Sequence, residues 1–278
     1  RTPRPLHDAL AGEVETLVVL AADRDPGVSI ALQLLAERSD DVCPAAALLA
    51  RFCGAKRAVV ALLEPHAASF RAPEGIELLA LPARYPETLS ANVARRLGAG
   101  AGLRVVALES ALAALDAVRL GQVQATKLVT LIGPDQRPVA NYRVTLGTPL
   151  GALLDHARIE VGDRDKVVAG GPMRGFALWS LDAAVDAGLD ALTVIRSGAY
   201  PDWTAEPCVN CGRCIDICPV DLQVQLIGRY AEFELFEPTA ELDIDQCFEC
   251  GMCAAVCTAR RPLLQYIRLA KAGLEAQA

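Results

Sequence analysis

Eight of the ten cysteines are concentrated in two runs near the C-terminal end of this 278-residue chain. Each run has the spacing C-x2-C-x2-C-x3-C. The first run contains Cys208, Cys211, Cys214 and Cys218, and the second contains Cys247, Cys250, Cys253 and Cys257. Thiolates at this spacing are typical ligands of a cubane iron–sulfur cluster, and in two-cluster proteins the fourth cysteine of each run ligates the other cluster.

We therefore predict two 4Fe–4S clusters whose fourth ligands are exchanged between the runs. The ligands of one cluster, called the first thiol set below, are Cys208, Cys211, Cys214 and Cys257. The second thiol set is Cys247, Cys250, Cys253 and Cys218. Arg213 and Glu249 lie inside the runs, where their charges could bias a reduction potential, although a solvated surface role is more common for such residues.

Zinc and disulfides also use cysteines, and they are the alternatives. Structural zinc sites combine two short Cys or Cys/His pairs across a longer loop, and disulfides belong to oxidising compartments. The three-plus-one pattern with Pro219 after the first run is more typical of ferredoxins. The second run is followed by Thr258, which removes a rigid exit turn but no ligand.

The composition limits the possible folds and partners. The length suits about two domains, and 53% hydrophobic with 5% aromatic residues indicates a core of Ala, Leu and Val. A net charge of −7 argues against nucleic acid as a main partner.

Thiolate ligands need a reducing compartment, which predicts the cytoplasm. No apolar run reaches the roughly 18 residues of a membrane helix, so membrane association would depend on partners.

Residues 1–122 show apolar strands that alternate with helical patterns. The predicted strands are Thr16–Ala22, Arg57–Leu63, Ile76–Leu81 and Val105–Ala107, and the predicted helices are Val28–Arg38, Pro44–Cys53, Pro86–Leu97 and Ser110–Arg119. This alternation predicts a Rossmann-like α/β domain with a parallel sheet. Closely spaced glycines do not follow the first strand, and Asp23 and Asp25 would repel a phosphate, so a scaffold without nucleotide is favoured.

Residues 123–200 predict a small α+β module of ubiquitin-like size. Strands are expected at Lys127–Gly133, Val139–Leu146, Val167–Ala169 and Leu189–Arg196. Thr148 is a candidate N-cap and Pro149 a candidate first residue of a helix that extends to about His156. In residues 201–278, helices at Val220–Glu234 and Pro262–Leu274 should frame the cysteine runs.

The order of several motifs resembles the C-subunit (RnfC) of the Rnf-type electron transport complex. The motifs are Asn141–Pro149, Gly170–Met173, the two cysteine runs and Pro262–Lys271. The resemblance implies an α/β domain like the flavin- and NADH-binding subunit of respiratory complex I, an SLBB-type β-grasp module and a helical ferredoxin-like domain. It also implies electron transfer from NADH, through FMN and iron–sulfur clusters, to partner subunits that are membrane-bound or flavoproteins.

The chain departs from this family at the flavin site. Family members carry a glycine-rich FMN loop just before the first strand, and this chain begins too late to include it. Of the family's acidic stretch, Asp23 and Asp25 are a weak remnant. We therefore expect a subunit that conducts electrons without FMN and without catalytic residues, although a trimmed N terminus would also explain the gap. FMN-dependent NADH oxidation and purely structural clusters are the alternatives.

Overall fold

The structure, a computed structural model, describes residues 5–98, 100, 102–200 and 206–277, and the chain divides into two compact units. The first unit ends at Arg196 and the second begins at Ser197. The first unit contains two β-sheets, and the second is helical. The predicted junction between residues 122 and 123 lies inside the first unit, between its two sheets.

The first sheet is parallel throughout and has the order β3-β2-β1-β4. Its strands are β1 (Thr16–Ala21), β2 (Arg57–Leu63), β3 (Ile76–Leu81) and β4 (Leu103–Ala107). Every residue of β1 is buried, because a central parallel strand is covered on both faces. The predicted bounds of β2 and β3 are confirmed residue for residue.

Among the residues that the structure describes, five helices accompany this sheet. They are α1 (Leu6–Ala9), α2 (Ile30–Cys53), α3 (Glu64–Ala67), α4 (Ser90–Arg96) and α5 (Leu108–Leu120). The prediction of two helices separated by residues 39–43 is wrong, because α2 is continuous apart from a kink at Arg38 (φ −140°, ψ 36°). Pro44 removes one intrahelical hydrogen bond but does not end the helix.

The second sheet is mixed, with the order β6-β5-β9-β7-β8. Its strands are β5 (Thr126–Ile132), β6 (Pro138–Thr145), β7 (Lys166–Ala169), β8 (Phe176–Ala177) and β9 (Ala191–Ile195). The central strands β5 and β9 are parallel, and the other pairs are antiparallel. Helix α6 (Leu150–His156) packs its leucines against this sheet in a core of its own.

The predicted start of α6 is wrong by one residue. Pro149 occupies the N-cap position with extended backbone (φ −59°, ψ 140°), and the helix begins at Leu150. Thr148 is instead part of a backbone pairing, in which its carbonyl accepts a hydrogen bond from the N–H of Val185 at 2.8 Å. Pairing with this distant segment keeps residues 148 and 149 extended. Helix-capping preferences consider only neighbouring residues, so they do not predict this pairing.

The two sheets of the first unit share hydrophobic packing and a polar junction. Leu128, Ile132 and Ala191 of the second sheet belong to the core cluster that α2 and α5 form with the first sheet. Asn141 on β6 donates hydrogen bonds to the carbonyl of Ser29 at 3.1 Å and to Oε1 of Gln33 at 2.8 Å. These contacts fasten β6 to the first turn of α2.

The second unit is built from short helices around one apolar core. Its helices are α7 (Arg213–Asp216), α8 (Val224–Glu232), α9 (Glu237–Ala240), α10 (Met252–Ala255) and α11 (Leu263–Gln277), with a 3-10 turn at Ile244–Gln246. Helices α8 and α11 pack closely at Gly228, where an added Cβ would lie 3.0 Å from Leu263. Among the described residues, no helix is both long enough and apolar enough to cross a membrane.

Candidate metal centre

The two cysteine runs are structural repeats of each other. The residue before the second cysteine is left-handed in both runs, at Asn210 (φ 53°) and Glu249 (φ 57°). Gly212 (φ 76°) and Gly251 (φ 78°) then adopt the left-handed N-cap position of α7 and α10. Glycine suits this position because it lacks the Cβ that strains a positive φ.

Each repeat buries its third cysteine and turns again after its fourth. Cys214 on α7 and Cys253 on α10 are both buried within the core of the second unit. Three residues after the fourth cysteine, Asp221 (φ 53°) and Arg260 (φ 48°) are again left-handed. The same backbone path in both runs means that residues 219 and 258 occupy equivalent positions.

The structure brings the eight sulfurs together in two groups with the same members as the two thiol sets. Burial raises the pKa of Cys214, and the neighbouring thiols that raise it further are Cys208, Cys257 and Cys211. Burial likewise raises the pKa of Cys253 to about 12, and its neighbouring thiols are Cys250, Cys247 and Cys218. Each buried thiol therefore lies beside three others, and one of the three comes from the opposite run.

The four cysteines of the first thiol set line one cavity, together with Gln225 and Leu263. All ten cysteines of the chain are free thiols. Within the described ranges, no three His, Cys, Asp or Glu side chains converge on a position for a single metal ion. Cys257 of the second run thus shares a cavity with three cysteines of the first run.

Hydrogen-bond donors from the chain point at sulfurs of the first thiol set. The N–H of Asn210 donates to Sγ of Cys208, and the N–H of Arg261 donates to Sγ of Cys257, both at 3.4 Å. Oγ1 of Thr258 lies 3.4 Å from Sγ of Cys211. The Thr258 hydroxyl lowers the pKa of the exposed Cys211 thiol, with help from the N–H and charge of Arg213.

The second thiol set has cations nearby. The ammonium of Lys271 donates to the carbonyl of Cys247 at 2.5 Å. Burial raises the pKa of Cys247, while the N–H of Glu249 and the charge of Lys271 oppose that rise. Glu249 itself forms ion pairs with Arg268 at 3.0 Å and Lys271 at 3.6 Å. Glu249 is thus held between two cations of α11, and it is not a simple solvated side chain.

Arg261 supports the site and was not singled out by sequence reasoning. Its side chain is only 6% exposed and pairs with the carboxylate of Glu232 on α8. It also donates to the carbonyl of Glu206 at 2.8 Å and lies 5.3 Å from the ring centre of Tyr266. Arg261 thereby connects the end of the second run to α8, to α11 and to the segment before the first run.

The predicted flavin-site remnant has structural partners within the first unit. Oδ1 of Asp23 accepts the N–H of Ala31 at 2.9 Å and caps the N-terminus of α2. Oδ1 of Asp25 accepts the N–H of Met173 at 3.0 Å, in the predicted Gly170–Met173 motif. Burial raises the pKa of both carboxyls.

Both aspartates line a cleft of the first unit that also contains a network of buried charges. Lys127, whose side chain is 5% exposed, pairs with Glu109 and with Asp190 at 3.1 Å. Asp190 also accepts a hydrogen bond from Arg24 at 2.5 Å. The charges of Arg24 and Lys127 hold the pKa of Asp190 below its usual value despite its burial. Arg24, Lys127, Glu109 and Asp190 are therefore engaged with one another.

The cysteine region matches a family of known proteins. The model of a 4Fe-4S dicluster domain matches residues 207–260. This match confirms the prediction of an iron–sulfur domain at the two runs.

The whole chain is similar to one class of curated proteins. It is 29% identical to the C-subunit of the ion-translocating oxidoreductase complex of Pasteurella multocida, over 98% of this chain and 34% of that protein. It is 31% identical to the same subunit of Pseudomonas aeruginosa, over 96% of this chain and 37% of that protein. With the C-subunit of a proton-translocating ferredoxin:NAD(+) oxidoreductase complex of Clostridium ljungdahlii, the identity is 27%, over 96% of this chain and 63% of that protein.

These relatives confirm the predicted resemblance to RnfC. The chain spans about a third of the length of the first relative and less than two thirds of the others described. Among solved structures, the chain resembles an NAD+-reducing [NiFe]-hydrogenase with a TM-score of 0.55 and 16% identity, over 96% of this chain and 55% of that one. That likeness supports the predicted α/β fold.

Proposed function

We propose that this chain, which is similar to RnfC along nearly its whole length, is an iron–sulfur electron-transfer subunit of a larger oxidoreductase complex. The observation that carries the proposal is the crossed grouping of thiols, in which Cys257 of the second run lines one cavity with Cys208, Cys211 and Cys214 of the first. Two 4Fe–4S clusters, when bound by these sets, supply one-electron transfer at low potential.

The chain's own residues would hold the clusters and limit their contact with water. Cys208, Cys211, Cys214 and Cys257 are the proposed ligands of one cluster, and Cys247, Cys250, Cys253 and Cys218 are those of the other. Because each set takes one ligand from the opposite run, each run would bind both clusters, and its backbone would link the two sites. The apolar core around Cys214 and Cys253, which includes Ile227 and Ile267, lowers the local polarity at both sites.

The partners are proposed to be other subunits of an electron-transfer complex, since the relatives are named as subunits of such complexes. We place the chain in the cytoplasm, because thiolate ligands persist in a reducing compartment. Membrane attachment would then occur through those partners, at the cytoplasmic face.

The first unit is proposed to be the docking scaffold of this protein. The order β3-β2-β1-β4 supports a Rossmann-like domain over residues 1–122. The order β6-β5-β9-β7-β8, with a central parallel pair and one packed helix, supports an SLBB-type β-grasp module over residues 123–200. Residues 201–278 would then form the ferredoxin-like domain.

One anaerobic preparation of the intact chain tests the proposal. We expect about eight iron and about eight sulfide atoms per chain, and two clusters that dithionite reduces. Zinc in place of iron, or cysteines paired as disulfides, would contradict it. Clusters that no accessible potential reduces would indicate a purely structural role.

Flavin analysis of the same preparation separates this function from its alternative, FMN-dependent NADH oxidation. We expect substoichiometric flavin and clusters that dithionite reduces but NADH does not. Stoichiometric flavin together with cluster reduction by NADH would establish the alternative. Asp23 and Asp25 do not decide this question, because both have partners within the fold.

A further inference from the structure

The residue that follows each cysteine run is where the two repeats differ chemically. The runs share their left-handed positions, their glycine caps and their turn after the fourth cysteine. The first run is followed by Pro219 and the second by Thr258. A proline side chain carries no hydrogen-bond donor, whereas a threonine side chain carries a hydroxyl.

The Thr258 hydroxyl contacts a proposed ligand of the opposite run. Oγ1 of Thr258 lies 3.4 Å from Sγ of Cys211. A cysteine that ligates iron is a thiolate, which can only accept a hydrogen bond. In the loaded protein the direction is therefore fixed, and Thr258 donates to Cys211.

This contact acts at the most exposed cysteine of the eight. Cys211 is exposed, whereas Cys214 and Cys253 are buried and the other five cysteines are half-buried. The neighbouring Val209 is 64% exposed. Water is the competing hydrogen-bond donor at such an exposed thiolate, and the Thr258 hydroxyl differs from water in that the fold fixes its position.

We propose that Thr258 is a tuning residue that raises the reduction potential of the cluster held by the first thiol set. This inference rests on the proposed function. One-electron reduction adds negative charge to the cluster and its sulfurs. A hydrogen bond to Cys211 is therefore stronger in the reduced state than in the oxidised state, and it favours reduction. Pro219 offers no such donor to the second thiol set. This difference between the repeats contributes to a difference between the two reduction potentials, in addition to the effect of Lys271 near the second set.

The test compares Thr258→Val with Thr258→Ser in the intact chain, loaded anaerobically and titrated with mediators and dithionite under EPR. Valine keeps the branched shape and removes the hydroxyl, whereas serine keeps the hydroxyl. We expect Thr258→Val to make reduction of one cluster about threefold to tenfold less favourable, and the other cluster to stay unchanged. At 59 mV per tenfold change, the fall is about 28 to 59 mV. Thr258→Ser should stay close to the wild-type potential.

Iron content and titration together distinguish the possible failures. Wild-type protein without iron would refute the proposed function itself. Loaded Thr258→Val protein with both potentials unchanged would refute the tuning role alone, and so would a serine variant that shifts as far as the valine variant. If Thr258→Val loads poorly, Thr258→Ala is titrated in its place, and the same expectation applies.

Discussion

Replacing Lys127 with Met should destabilise the first unit strongly. The Lys127 side chain is 5% exposed and its ammonium pairs with Glu109, which is 13% exposed, and with Asp190. Removing one partner of a buried ion pair costs about 3–5 kcal/mol, since a carboxylate is left buried without its counter-charge. Here the lower value, about 3 kcal/mol, applies, because Asp190 keeps Arg24 and Glu109 keeps the N–H of Leu128.

Calorimetric unfolding of the intact, anaerobically loaded chain measures this effect. For a unit of this size, about 3 kcal/mol corresponds to a fall in Tm of about 6–12 °C. Lys56→Met is the matched control, because Lys56 is 80% exposed and its pair with Glu15 spans 3.8 Å. That control should change stability by less than about 1 kcal/mol. The double variant Lys127→Met/Glu109→Gln should recover much of the loss, since it removes a buried charge together with its partner.

Two results would refute this reasoning. If the free energy of unfolding of Lys127→Met lay within about 0.5 kcal/mol of the wild-type value, the attraction within the ion pairs would do little more than offset their desolvation cost. Strictly additive single and double variants would mean that Lys127 and Glu109 are not coupled.

Three further predictions concern a ligand, a cap and a glycine. Cys257→Ser should disturb the cluster of the first run, although Cys257 itself lies in the second run. EPR of the reduced protein should then retain the signal of the other cluster. Loss of the second-run signal instead would contradict the crossed ligation. Asp23→Ala should cost about 1 kcal/mol by removing a helix cap, whereas Asp23→Asn keeps a capping oxygen. Because burial raises the pKa of Asp23, its charge destabilises the fold at higher pH. Any advantage of the Asn variant should therefore shrink as the pH falls below this raised pKa, and it should be gone below the pKa of aspartate in the unfolded chain. Gly171→Ala places a Cβ 2.5 Å from Asp25 and should destabilise the first unit by about 1–3 kcal/mol in denaturant unfolding, whereas Gly100→Ala, in open space, should not.

Local patterns made parts of this structure predictable. The bounds of β2 and β3 follow from apolar runs between polar turns, so their prediction was confirmed in full. For the cysteines, the spacing within one run predicts which three thiols can reach one centre, whereas the exchange of the fourth thiol depends on how two separate runs pack together. For these strands and for the spacing of three cysteines, the deciding information lies within a few consecutive residues.

Contacts between distant segments explain what the sequence did not predict. Arg261 is held by groups that lie 55 and 29 residues away, Glu206 and Glu232, and a single arginine after a cysteine run carries no local sign of them. Thr148 is drawn into pairing with Val185, and that pairing displaced the start of α6. Such partners become neighbours only in the folded chain, so no local pattern in the sequence identifies them.

Long-range contacts also determine whether Asp23 and Asp25 are evidence for a flavin site. In the sequence they resemble the acidic stretch of a flavin-binding family, and their survival invites the inference of a remnant site. In the structure Asp23 caps α2 and Asp25 holds the backbone at Met173, beside Gly171. Either role would preserve an aspartate whether or not FMN binds, because losing the carboxylate would leave buried N–H groups without acceptors. Only direct flavin analysis therefore bears on the loss of the cofactor, and substitution of these aspartates would report on folding instead.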